Sequence, residues 1–388
     1  MKKLMILSIL IMFGVFTLTK PVHAEDGFTE LTSEAAVLMD TQSGAILFSK
    51  NEEVKMYPAS LTKIATAIYA IEKGNLNDQV IVSEKVLNID GTRVYLNPGE
   101  QVTLKKLIQG MLINSGNDAA LAIAIHLDGT MEKYSQHVNE FLESEIGVEA
   151  THFVNPHGLF DENHYTTAKD LGMILNYAMK NKDFREIFAT KQMKWDGESW
   201  DTTILSHHRM LKGEIPYPGV TGGKTGFVDQ SKQTLATTAE NGRLKLTAIL
   251  LKSEYKRKIY DDTIKLFDYG FANFKSSQIR KGEEFISGKL RFISQADTFL
   301  TEPIAEGKRS VDSDGVLSIE KGEGKVIQTV ELKPIIKKKL EVKNTTQKAE
   351  QSGVLSLNSI VGGILLLLAA SVLVLNRKQK RNRRYRSR

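Results

Sequence analysis

Two uncharged apolar stretches stand at opposite ends of this 388-residue chain, and they confine its folding unit to the residues between them. The first follows Lys2 and Lys3, covers residues 4–18, and leads into Val22-His23-Ala24, a small-residue cleavage pattern. It is short for a bilayer span, which needs about 20 residues. A secretory signal over residues 1–24 is therefore expected, with the mature chain starting near Glu25; an uncleaved anchor is the competing reading. The second stretch, residues 354–375, is uncharged and long enough to span with some tilt. The basic run that follows it, residues 376–388, belongs on the cytoplasmic side by the positive-inside rule. The expected topology is a folded part outside the cell membrane, one transmembrane helix and a short inner tail. Because the basic run abuts a span, nucleic acid is not an expected partner.

The charge divides the same way. The formal net charge is +6, but Lys2, Lys3, Lys20 and the basic residues of the tail outweigh it, leaving the middle of the chain near −5. No general polyanion-binding surface is implied. Cysteine is absent, which excludes disulfides, thiolate chemistry and Cys-ligated metals. A secreted chain without disulfides must rely on its core, and 41% apolar residues over this length permit one large domain with smaller parts.

Along the middle, residues 35–39 and 45–48 are apolar runs around Thr41-Gln42-Ser43-Gly44, a hairpin signal. Residues 64–71 read as an Ala-rich helix ended by Lys73-Gly74. Leu104, Leu107, Ile108, Met111 and Leu112 fall at helical spacing behind the capping residue Thr103, and an apolar helix follows over 118–127. Further helices are predicted at 134–144, 168–180 and 261–271, and strands at 234–239 and 244–250 around the turn Asn241-Gly242. Strands, then helices, then strands predict an α+β fold with helices packed on a mostly antiparallel sheet. From Ser276 short alternating runs broken by glycines predict a small all-β domain over 276–343, then a polar linker over 344–353. The main domain is placed at 25–275.

Three short motifs carry chemistry. Ser60-Leu61-Thr62-Lys63 opens the Ala-rich helix, and spacing i to i+3 puts hydroxyl and amine on one face. A serine hydroxyl becomes a nucleophile when a base takes its proton, and a lysine whose pKa is lowered can be that base. Ser115-Gly116-Asn117 joins two apolar helices and offers a proton-relaying hydroxyl and an amide for a substrate carbonyl. Lys224-Thr225-Gly226 follows Gly222-Gly223, where a ligand backbone can approach closely, and supplies a cation and a hydroxyl for a carboxylate-bearing substrate. Each has an ordinary structural reading: a capped helix start, an interhelical turn, a strand edge. Their order, Ser-x-x-Lys, Ser-x-Asn, Lys-Thr-Gly, is the set found in penicillin-binding proteins and class A β-lactamases.

Pro58-Ala59-Ser60-Leu61-Thr62-Lys63, Asn114-Ser115-Gly116-Asn117-Asp118-Ala119-Ala120 and Asn155-Pro156-His157-Gly158-Leu159 closely resemble the low-molecular-weight penicillin-binding proteins, the D-alanyl-D-alanine carboxypeptidases. The resemblance covers about residues 31–274. It implies a β-lactamase/transpeptidase-like domain, with Ser60 as the acyl-ester nucleophile, Lys63 as its base and Ser115 as a proton relay. It also implies a substrate-binding set: Asn117 on the substrate amide, Lys224 near Ser115, Thr225 at the terminal carboxylate, Gly226 beside it in the motif, and Phe227, whose backbone N–H would complete an oxyanion hole with that of Ser60. It implies peptidoglycan stem peptides as substrate, β-lactams as inhibitors, and no metal or organic cofactor. The strand after Lys-Thr-Gly departs from the family: Ser231-Lys232-Gln233-Thr234-Leu235 places Lys232 and Gln233 near the site's edge. His207-His208 is expected to be structural, since neighbours on a strand face opposite ways.

The competing functions are a β-lactamase, a D,D-endopeptidase of the same fold, or a membrane-tethered wall-binding protein with a degenerate site. No Glu-x-x-x-Asn loop follows the Ser115 motif, which argues against fast β-lactam hydrolysis. Complete motifs argue against a degenerate site.

Overall fold

A computed structural model describes residues 30–335 apart from residue 323. The expected signal segment, linker, span and tail lie outside the described residues. Among the described residues, no helix is long and apolar enough to cross a membrane.

The first hairpin forms as its pattern predicts: Ala35–Asp40 (β1) pairs antiparallel with Ile46–Lys50 (β2). Three later strands complete the sheet: Val220–Val228 (β3), Lys232–Glu240 (β4) and Lys245–Ser253 (β5). The order is β2-β1-β5-β4-β3, with every neighbouring pair antiparallel. The β4–β5 turn is the predicted Asn241-Gly242, with Gly242 at φ +80°, a conformation that suits glycine.

Alternation along β1 assigns the two faces. Ala35, Val37 and Met39 enter one core, while Ala36 and Leu38 enter another. β1 is buried on both sides, which is why it reads as a continuous apolar run. The larger core takes Leu61 from the turn before Thr62–Lys73 (α1), Ile64 and Ile68 from that helix, Leu107, Ile108 and Met111 from Leu104–Ile113 (α2), and Ile123 from Asn117–Asp128 (α3). Behind the sheet, Lys258–Asn273 (α4) packs Ile259, Leu266 and Phe267 against Leu38, Leu246 and Leu250.

Several predicted helices shift at their ends. Met131–Phe141, capped by Thr130, continues into a wider π-type turn over Leu142–Ile146, and Ala168–Ala178 starts behind the capping residue Thr167. Reading sequence alone missed a ribbon, Gln192–Asp196 with Asp201–Leu205, and the short helices Lys182–Phe188 and Arg209–Lys212.

From Phe274 the chain forms short antiparallel strands around a separate core of Ile279, Phe292, Leu300, Leu317, Ile319 and Leu332. Asp40 at the end of β1 ties this part to the sheet: its Oδ2 accepts from Thr301 Oγ1 at 2.7 Å and Ser276 Oγ at 3.0 Å.

Candidate active site

Ser60 sits in a single 3₁₀ turn, Ala59–Leu61, that runs directly into α1. Ala59 before it has φ +49°, a left-handed conformation costing a residue with a Cβ about 1–2 kcal/mol. One helical turn on, Lys63 is fully buried. Its Nζ lies 3.0 Å from Ser60 Oγ, 2.7 Å from Asn117 Oδ1 and 2.6 Å from the His157 carbonyl oxygen. Burial, then the charge of Lys224, holds the Lys63 ammonium well below the usual lysine range, while Asp118 pulls weakly the other way.

The second motif lies at the joint of α2 and α3. Ser115 takes φ +63° there, and Asn117 begins α3. Asn117 is used at both ends: Oδ1 faces Lys63, and Nδ2 donates to the Asp90 carbonyl at 2.6 Å. The next residue, Asp118, is buried and accepts from the backbone N–H groups of Val94, Leu96 and Ala119 at 2.9–3.2 Å. That carboxylate fastens the 94–96 segment onto the motif. Asp118→Ala strands three buried donors, and we expect about 3 kcal/mol lower stability, seen as a lower urea midpoint.

The third motif is on β3, one of the two edge strands of the sheet. Lys224 is buried, donates to Ser115 Oγ at 3.0 Å and to the Thr225 carbonyl at 2.9 Å, and has its pKa pushed down to about 7 by burial. Gly226 faces the Ser60 turn: a Cβ there would lie 2.8 Å from the Ser60 backbone nitrogen and 2.4 Å from Thr234 Oγ1. The absence of a side chain lets the strand run against the nucleophile's amide. A cleft of about 670 Å³ collects Ser60, Ser115, Thr225, Gly226, Phe227 and Gln233 on its walls. The structure thus brings all three motifs together, as two hydroxyl–lysine pairs, Ser60–Lys63 and Ser115–Lys224, on one cleft.

Some contributors carry no sequence signal for the role they play here. The Asn155-Pro156-His157-Gly158-Leu159 loop offers Lys63 a backbone carbonyl, held by Asn155 Oδ1, which accepts from Gly158 N at 2.7 Å. Thr234 on β4 donates to the Pro58 carbonyl at 3.0 Å. Of the two residues at the departure from the family pattern, Gln233 lines the cleft.

His207-His208 does not lie on a strand, so the alternation argument made for it fails. His208 caps the short helix Arg209–Lys212: its Nδ1 accepts from Leu211 N at 3.1 Å, and its Nε2 lies 2.8 Å from Thr237 Oγ1. It is buried against Gly223, where a Cβ would come within 2.4 Å of the ring. His207 lines the cleft.

Comparison with known proteins agrees with this geometry. Residues 19–254, more than half of the chain, match the family described as D-alanyl-D-alanine carboxypeptidase. The chain is 30% identical over 375 residues to D-alanyl-D-alanine carboxypeptidase DacA of Haemophilus influenzae, covering 84% of this chain and 90% of that protein. It is 29% identical over 317 residues to D-alanyl-D-alanine carboxypeptidase DacF of Bacillus subtilis, covering 76% and 79%. Among solved structures, penicillin binding protein 5 from Haemophilus influenzae superposes with a TM-score of 0.69 at 25% identity, covering 79% of this chain and 97% of that one.

Proposed function

The chain belongs to the D-alanyl-D-alanine carboxypeptidase family, and from that premise we propose how its residues divide the work of removing the terminal D-alanine from peptidoglycan stem peptides. The observation that carries the reading is the set of partners around Lys63 Nζ. A neutral amine has two N–H groups and one lone pair. With the two N–H groups given to Asn117 Oδ1 and the His157 carbonyl, the lone pair is left for the Ser60 hydroxyl, 3.0 Å away. Lys63 therefore takes the proton as Ser60 Oγ attacks the carbonyl of the penultimate D-alanine. The oxyanion is held by the backbone N–H groups of Ser60 and Phe227. Ser115, held by Lys224, relays to the leaving amine the proton that Lys63 took from Ser60, so that Lys63 and Ser115 end as they began. Thr225 contacts the terminal carboxylate, and Asn117 turns its remaining amide hydrogen to the substrate. Water then hydrolyses the ester on Ser60.

β-Lactams would acylate the same serine. The β-lactamase, endopeptidase and wall-binding alternatives are not favoured. The direct test is release of free D-alanine from a diacetyl-lysyl-D-alanyl-D-alanine peptide. Cleavage only of cross-linked dimers would shift the assignment to an endopeptidase.

Gly226 makes a sharp prediction. In Gly226→Ala the new methyl group meets Ser60 N and Thr234 Oγ1, so strand and nucleophile must part. Penicillin labelling should slow about 100-fold, the cost of displacing an oxyanion donor or misplacing reacting groups by about 1 Å. Labelling at the parent rate would mean that this approach is not needed.

Residues 354–375 and the basic tail support a membrane-held enzyme facing the wall, with residues 1–24 as its export signal. Full-length protein should stay with membranes through a high-salt wash, and a chain ending at Lys343 should be soluble and still release D-alanine. Release of the full-length chain by salt alone would rule out a span.

A further inference from the structure

The turn that carries Ser60 is held where it would not rest by itself. Ala59 is left-handed, and two side chains clasp the carbonyls on this side of Ser60. Thr234 Oγ1 donates to Pro58 O, and Thr62 Oγ1 donates to Ala59 O at 2.9 Å. Thr62 has a partner of its own: His164 Nε2, 2.8 Å away.

The direction of this chain of hydrogen bonds can be read from its far end. Val154 N–H donates to His164 Nδ1 at 3.1 Å, so Nδ1 is the bare nitrogen and Nε2 carries the hydrogen. His164 therefore donates to Thr62, and the single hydrogen of Thr62 is left for Ala59. A buried helix threonine otherwise tends to bond back to the carbonyl four residues earlier. Here that carbonyl is Pro58, already taken by Thr234.

The ring of His164 is buried and stacks on Phe153 at 4.9 Å. Burial, with the charges of His152 and Lys63, pushes its pKa down to about 3, so it stays neutral where the enzyme works. Below the clasp, Gly158 leaves room for the carbonyl: a Cβ there would lie 1.9 Å from Ala59 O. The 154–164 loop thus reaches both members of the reactive pair, Lys63 through the His157 carbonyl and the Ser60 turn through His164.

We propose that His164 is a positioning residue for Ser60: acting through Thr62, it fixes the Ala59 carbonyl and with it the aim of Ser60 Oγ at Lys63. The proposal rests on Ser60 being the nucleophile. Its role is orientation, so it should govern the rate of acylation and not the affinity of the complex that precedes it.

The test uses full-length protein and stopped-flow labelling with a fluorescent penicillin. It separates the limiting acylation rate constant from the dissociation constant of the non-covalent complex. Thr62→Val keeps the shape and cuts the relay; His164→Phe keeps an aromatic ring against Phe153 and removes the donor. Each should lower the limiting rate about 100-fold, with the dissociation constant within about threefold of the parent. Thr62→Ser and His164→Gln, which restore a hydroxyl and an N–H donor, should recover most of the rate. Parent-like acylation in folded Thr62→Val or His164→Phe overturns the proposal, as does a Thr62→Ser enzyme as slow as Thr62→Val. So does an equal loss of rate and affinity, which would mark general loosening. If Thr62→Val does not fold, His164→Phe decides. A parent protein with no adduct on the Ser60 peptide removes the nucleophile reading and the proposal with it; an adduct there with an undiminished Thr62→Val rate removes the relay alone.

Discussion

Ser60→Ala should release D-alanine at least about 10⁴-fold more slowly than the parent and should take no fluorescent penicillin, while unfolding at nearly the same temperature. Activity and stability separate here because of what Ser60 Oγ touches. Its side-chain partner is Lys63 Nζ, and Lys63 keeps the Asn117 and His157 oxygens when the hydroxyl is gone. No buried donor is stranded, so the change in stability should stay below about 1 kcal/mol. Backbone N–H groups survive the substitution, so residual turnover from the oxyanion pocket and substrate binding is expected above the uncatalysed rate. Substantial labelling of Ser60→Ala would place the nucleophile elsewhere.

The second large effect concerns Lys63. An ordinary lysine is neutral in about one molecule in a thousand at pH 7.5. Burial and Lys224 lower the pKa of Lys63, so its neutral form persists to lower pH than for a lysine in water. The base must be neutral, so acylation should be high above this lowered pKa and should fall as pH drops through it. Lys224 acts in the opposite sense: it serves as a cation, and burial has pushed its pKa to about 7, so its contribution should fade as pH rises through that region. The two together predict a bell-shaped profile belonging to the coupled pair. Lys224→Met removes the positive charge that presses on Lys63, so the acid limb should move to higher pH. Lys63→Arg keeps the charge and cannot shed it, and acylation should fall on the order of 10³-fold, within the range a general base contributes. An acid limb unmoved in Lys224→Met, or brisk acylation in Lys63→Arg, would speak against Lys63 as the base.

How much of this was legible beforehand follows from how local each feature is. The Ser60–Lys63 pair needs only one helical turn, so spacing alone placed both groups on one face. The Asn241-Gly242 hairpin is equally local, and it formed as read. The Lys224–Ser115 bond joins residues 109 apart in sequence, and no periodicity points to it. There the order of three motifs and the family resemblance supplied what spacing could not. Backbone groups were invisible: nothing in Pro156-His157-Gly158 announces that the His157 carbonyl faces Lys63. Ala59 was invisible for another reason, since alanine normally avoids positive φ and holds it here where Thr62 donates to the Ala59 carbonyl and Thr234 to the Pro58 carbonyl before it. Misplaced elements were short or irregular. The Arg209–Lys212 helix is a single turn, and its capping histidine looked like a strand residue until tertiary packing set its neighbours.

Mass spectrometry of the Ser60 peptide tests the central claim most directly. Full-length protein is mixed with benzylpenicillin, quenched in acid, digested and sequenced by fragmentation. One penicilloyl group should be found on the peptide containing Pro58-Ala59-Ser60-Leu61-Thr62-Lys63, with the added mass on Ser60 and none on Ser115. An adduct carried by any other residue, or an unmodified Ser60 peptide under saturating penicillin, would contradict the account.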